Sequence, residues 1–420
     1  GRMAGEEMCG RRLQESGIDR TLLWSWGANS YGQLGTGCVS EKVLPSDQPV
    51  PINLRHELDA IKDAGGGGGF SFILTESGKV LTCGNNNKGQ LGQDILIEKL
   101  TVFSHCQYLS QVNILKVAAG WDFMLGLSDT GCVLSWGSNS FGQLGRTLRE
   151  GVNCDEVPTQ VDGCLLGQHI VDIAAGLRHG LSLSECGRVY AWGHGKRGQL
   201  GSGDTDNKQV ARVEKPILVQ VPDTEKPIKI VAGMFHSGIL TETGRILLWG
   251  CNKFGQCGRE PSVSQTVLVP SKVGFPTLNE VTSQWISFAS GWTHIMASSV
   301  SGALYSWGRA DLGQLGRFSD KSYDHVPKLV DGLPPVLSYT CGSEHTLAMT
   351  ASGQMYCWGW NEHSICGTDD EENVLQPQEI PLFLDKCILG VGCGAGHSFC
   401  IVAGDTSLCA GNNVDKHDKS

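Results

Sequence analysis

The feature that most constrains this chain is a ten-residue block, Trp26-Gly27-Ala28-Asn29-Ser30-Tyr31-Gly32-Gln33-Leu34-Gly35, and its recurrences. Further copies begin at Cys83, Trp136, Trp192, Trp249, Trp307 and Trp358, and the last carries Ser364-Ile365 where the others carry Gly-Gln. The spacing averages about 55 residues, a period that belongs to propellers, solenoids and arrays. A second block, Gly-x-x-His, ends 13 residues before the Trp position of the next copy. It occurs as Gly176-Leu177-Arg178-His179, Gly233-Met234-Phe235-His236, Gly291-Trp292-Thr293-His294 and Gly342-Ser343-Glu344-His345. Phe70 and Phe123 hold the histidine position in two earlier copies, and Gly394-Ala395-Gly396-His397 follows the last Trp block.

Local chemistry makes each unit a hairpin. In Ile73-Leu74-Thr75-Glu76-Ser77-Gly78-Lys79-Val80-Leu81, apolar residues flank a short turn, and its glycine supplies the positive φ that tight hairpins favour. Short strands at regular spacing with turn signals predict an all-β fold, a seven-bladed β-propeller of short four-stranded antiparallel blades. No helical period is sustained. The first Trp block lacks a histidine block before it, and the last histidine block lacks a good Trp block after it. Residues 22–35 are therefore expected to join 391–402 in one composite blade, which removes exposed sheet edges. The propeller spans 22–402, with an N-terminal segment at 1–21 and a polar C-terminal tail at 403–420.

Composition excludes several classes. Lys+Arg 33 against Asp+Glu 43 gives a net charge of −10, and no dense basic run exists to bind nucleic acid directly. No stretch of about 18 apolar residues is present, so membrane insertion is not expected. The 17 cysteines include no C-x-x-C pair, and residues 1–20 lack the apolar centre of a signal peptide. Reduced thiols in a cytoplasmic or nuclear protein follow. The five block histidines sit one per blade and well apart, so they are read as core groups bonded to backbone within each blade, with no metal and no cofactor. Gly65–Gly69 is followed by no Lys-Ser/Thr and opens a strand, which argues against a phosphate loop.

The paired blocks resemble the regulator of chromosome condensation repeat family over residues 22–402. The likeness is carried by runs such as Gly120-Trp121-Asp122-Phe123, Ser138-Asn139-Ser140-Phe141-Gly142-Gln143-Leu144-Gly145, Ser290-Gly291-Trp292-Thr293-His294 and Trp307-Gly308-Arg309-Ala310-Asp311. Within the family these runs look most like the exchange factors that regulate secretion. The resemblance implies binding of a small GTPase, with nucleotide exchange on Ran in the founding member, and a link to exocyst-type secretion machinery. Exchange of this kind uses no nucleophile or metal; it depends on tighter binding of the nucleotide-free state. The resemblance places the partner on the face carrying the residues between Gly and His. Here those are Trp121, Asp122, Arg178, Phe235, Trp292, Thr293 and Glu344, with Gly396 in the last copy. Asp122 and Glu344 are expected as exposed acids on that face, and Trp121 and Trp292 as its aromatic anchors. Trp26, Trp136, Trp192, Trp249, Trp307 and Trp358, with His179, His236, His294, His345 and His397, are expected in the blade core. A non-catalytic interaction scaffold is the alternative. A hydrolase is disfavoured, since no nucleophile–base pair or paired carboxylates stand out.

Overall fold

The computed structural model describes residues 20–46, 48–52, 59–203, 211–274 and 284–404. Most of the expected N-terminal segment and of the polar tail lies outside these residues. Seven four-stranded antiparallel sheets are arranged in a ring. We number the blades in chain order: 61–105, 114–160, 170–218, 227–272, 285–329 and 336–379 form blades 1 to 6. Blade 7 is built from both ends of the described chain, in the order Lys42–Val43, Thr21–Ala28, His397–Ala403, Ile388–Cys393. Thr21–Ala28 pairs with His397–Ala403 from Thr21↔Ala403 to Gly27↔His397.

Blade 3 shows how the repeat builds one sheet. Ile170–Ala175 lies innermost, followed outward by His179–Ser184, Val189–Gly193 and Val213–Leu218. The second strand, between two neighbours and two packed blades, is buried throughout, and the outermost is mostly half-buried or exposed. Small residues such as Ala119, Ala175 and Ala232 end the inner strands, because the strands converge on a narrow central channel. Among the described residues no helix is long and apolar enough to cross a membrane.

The Trp block works between blades. All six tryptophans that open it are fully buried. Each indole N–H crosses to the preceding blade and donates to the carbonyl at the Gln position of its Gly-Gln-Leu-Gly loop. Trp136 reaches Gln90 (3.1 Å), Trp192 Gln143 (2.9 Å), Trp249 Gln199 (2.9 Å), Trp307 Gln256 (3.1 Å) and Trp358 Gln314 (3.2 Å). Trp26 reaches Ile365 (2.8 Å), because a backbone carbonyl survives the loss of the Gln side chain. Where Cys83 replaces Trp, its thiol still points at the Gln33 carbonyl (3.4 Å), and Phe103 packs close to Gly35 and takes up the missing ring's volume.

The histidines differ from expectation. They do not bond within their own blade. Each Nε2 reaches a hydroxyl of the next blade: His179 to Ser237 (2.8 Å), His236 to Ser290 (2.7 Å), His294 to Thr346 (2.9 Å), His345 to Ser398 (3.1 Å) and His397 to Ser71 (2.7 Å). Ser71, Ser237, Ser290 and Ser398 already donate their protons to carbonyls, so the histidine facing each must donate from Nε2. The glycine of Gly-x-x-His is demanded by this ring, since a Cβ on Gly233 would stand 1.9 Å from His236 Cε1.

Candidate partner-binding face

In a four-stranded antiparallel blade the first and third strands run the same way. The loop after the first strand (Gly-x-x-His) and the loop after the third (Trp-Gly-x-Asn-x-x-Gly-Gln) therefore emerge on one face of the ring. The inner loops are stitched together around the axis by backbone hydrogen bonds. Gly68 N–H donates to Trp121, Trp121 to Leu177, Leu177 to Gly233, Met234 to Trp292, Trp292 to Ser343, Ser343 to Ala395 and Ala395 to Gly67, at 2.8–3.3 Å. This closed circuit satisfies the loop backbone and leaves the side chains at the two x positions to vary.

Trp121 and Trp292 come from blades 2 and 5, yet their rings meet at the mouth of the channel, with centroids 5.6 Å apart and planes tilted by 55°. Trp121 lies over Gly68 and is 38 % exposed; Trp292 is half-buried. Arg178 lies 4.4 Å above the ring of Phe141, which packs edge-on to His194 at 5.2 Å, and His194 in turn contacts Phe235 at 5.9 Å. Asp122 is half-buried beside these groups. Burial pushes its carboxyl above the usual carboxylate range against the pull of Arg178 and Lys88.

Glu344 departs from the expectation of an exposed acid. It is 7 % exposed, accepts hydrogen bonds from Thr293 Oγ1 (2.7 Å) and Gln314 Nε2 (2.8 Å), and lies 3.5 Å from Arg309. Burial raises its carboxyl, and these donors hold the rise in check. Thr293 is buried with it. These two side chains brace blade 5 against blade 6 beneath the surface, because the longer Glu side chain folds back onto the Gln of the neighbouring loop. Charge reversal at Glu344 would bury an uncompensated cation and disturb the fold, so it does not isolate the face.

The sequence reading missed the second ring of loops. Tyr31, Phe141, His194, Lys196, Arg197, Phe254 and Arg309 occupy its non-repeating positions on the same face, and Arg309 sits 5.0 Å over Phe254 as Arg178 does over Phe141. The signal was available: these are the x positions of the Trp block, and strand alternation brings both loops to one end. Burial holds His194 at a pKa of about 4, with Arg178, Lys196 and Arg197 adding to the effect. Among the described residues no cluster of three or more His, Cys, Asp or Glu side chains could hold a metal ion.

A seven-bladed ring latched by Trp–carbonyl and His–hydroxyl contacts, with one face of paired loops, defines the RCC1-like class, and the chain belongs to the RCC1-like domain family, whose profile matches residues 22–400. It is 37 % identical over 401 residues to the secretion-regulating guanine nucleotide exchange factor of Bos taurus, covering 90 % of this chain and 82 % of that one. It is 26 % identical over 396 residues to the human (Homo sapiens) regulator of chromosome condensation, covering 91 % and 90 %. Prp20p of Saccharomyces cerevisiae, whose binding to Gsp1p and histones has been described, has the same fold, with a TM-score of 0.81 at 24 % identity over 94 % of each chain.

Proposed function

We propose that this chain regulates a small GTPase as a guanine nucleotide exchange factor-like propeller, binding it through the face of the Gly-x-x-His loops. The observation that carries the reading is the Trp121–Trp292 pair at the centre of that face. A partly exposed aromatic pair, held by a saturated backbone circuit and flanked by Asp122, Arg178 and Phe235, has the make-up of an interface hot spot. The exchange-factor names of its relatives support the class of partner. No covalent step is needed: exchange follows if the face binds the nucleotide-free GTPase more tightly than the loaded one. The setting we assign is the cytoplasm and nucleus, with an exocyst-type secretion component as a further partner. The scaffold reading keeps one observation in its favour. With Glu344 folded inward, only one of the two loop carboxylates is displayed.

The test compares affinity for a panel of small GTPases, each nucleotide-free and nucleotide-loaded, and follows release of a fluorescent nucleotide at sub-stoichiometric propeller. Preference for an empty GTPase and accelerated release, both weakened roughly tenfold or more by Trp121→Ala/Trp292→Ala, are expected. Equal affinity for both forms would leave a scaffold.

A further inference from the structure

The loop face carries two unlike sectors. On blades 2 to 4, Arg178, Lys196 and Arg197 surround His194 and the rings of Phe141 and Phe235. Lys196 and Arg197 are exposed, and none of the three cations makes an ion pair with a described residue. Arg178 is half-buried and stacked on the Phe141 ring, where it pulls on the nearby Asp122 carboxyl without forming an ion pair with it. On blade 5 the sector ends, because Arg309 is bound to Asp311 (2.5 Å) and approaches Glu344. Beyond it, the third-strand loop of blade 6 brings Glu362, Asp369, Asp370, Glu371 and Glu372 to the same face.

We propose that the patch of Phe141, Arg178, His194, Lys196, Arg197 and Phe235 docks a short acidic polypeptide segment that also carries apolar side chains. The proposal rests on the reading of this face as the partner-binding face, and it stands whether or not the partner is a GTPase. Lys196 and Arg197, exposed and without an ion-pair partner among the described residues, match carboxylates, and the two phenylalanine rings and the neutral imidazole offer apolar surface beside them. A nucleic acid carries one charge for roughly every 1.7 Å of duplex and would run on across the acidic loop of blade 6. A short peptide confines its charge to the patch. The protein's net charge of −10 adds to the repulsion of a long polyanion.

The experiment measures fluorescence anisotropy of a labelled peptide alternating Glu with Leu, titrated with the full chain at low and moderate salt. A single-stranded oligonucleotide of equal length serves as the second probe. The peptide is expected to bind the wild type and to weaken as salt rises. Lys196→Glu/Arg197→Glu should lower its affinity roughly tenfold or more at unchanged melting temperature, as loss of paired interface charge does. Asp369→Lys/Asp370→Lys, in the acidic sector, should not lower it. Failure of the peptide to bind at low salt overturns the proposal, as does an equal loss in both variants. Tighter binding of the oligonucleotide through Lys196 and Arg197 would make the patch a nucleic-acid site and overturn it too. Peptide binding that follows the expected pattern without any GTPase preference would sink the exchange-factor reading and leave this one standing.

Discussion

At the histidine position, five of the seven blade junctions set an imidazole against a hydroxyl, and two set a phenylalanine against apolar neighbours. Phe70 and Phe123 hold the histidine position on blades 1 and 2 and are fully buried. The blade that Phe70 faces has Met124 after its own Phe123, and the blade that Phe123 faces has Gly180 after His179; neither supplies a hydroxyl. Where the histidine is kept, the next blade offers Ser237, Ser290, Thr346, Ser398 or Ser71. Ser290 is instructive, because Ile295 occupies the usual hydroxyl position on blade 5 and the serine comes from the strand beside it. Polar and apolar closures are thus chosen in pairs across each junction. A buried hydrogen-bonding group without its partner costs about 1–3 kcal/mol, whereas replacing both partners together can be nearly neutral.

The largest difference between the two kinds of junction is in acid. Burial holds His179, His236, His294, His345 and His397 at pKa values of about 3, against about 6.5 for free histidine. Between those values the unfolded chain binds protons that the folded chain does not, so stability is full above pH 6.5 and falls as pH drops. Each polar junction should lose up to about 2 kcal/mol at pH 5, and the five together several kcal/mol, comparable to the whole stability of a domain. Urea unfolding at pH 7 and pH 5 measures the slope. A pH-independent midpoint over that range would show that the histidines are not neutral and buried in solution.

The tryptophan latch, common to both kinds of junction, should come next. Trp192→Ala should cost about 3–5 kcal/mol, and leave the Gln143 carbonyl without its donor. Trp121→Ala, on the exposed face, should cost much less. Equal losses in thermal melts would mean that the face has been confused with the core. His294→Phe should cost about 1–3 kcal/mol by leaving the buried Thr346 hydroxyl only the Cys341 thiol at 3.8 Å, and adding Thr346→Val should restore much of it. A double variant as unstable as the sum of two single losses would break the pairing argument.

The smallest effect concerns the seventh Trp block. Ser364 stands at φ 56° where the other six copies place glycine, as at Gly142 with φ 78°. Left-handed backbone costs an L-residue roughly 1–2 kcal/mol, so Ser364→Gly should raise stability by about 1 kcal/mol. A lower melting temperature would show that the Ser364 hydroxyl, which donates to Asp370 at 3.1 Å, outweighs the strain.

Seven copies of two blocks made the blade number and the strand count readable, because each copy encodes its own hairpin. The non-repeating residues between Gly and His could be assigned to one loop per blade for the same reason. What escaped was every relation between blades. Nothing near His179 names Ser237, some 58 residues on, and nothing near Glu344 reveals Gln314 and Thr293 waiting beneath it. The ring of second loops was overlooked although its positions are periodic too.

The sequence by itself determined what is local: where strands start and turn, and which loop positions are free to vary. Only the tertiary structure decided what ring closure brings together. Trp121 and Trp292 are 171 positions apart and touch because seven inner strands converge on one axis. Cations scattered one or two to a repeat become a patch because successive loops stand side by side on the same face. Charge and contact act through space, and a repeat sequence records its spacing along the chain while the distances across the ring are set by how the blades pack.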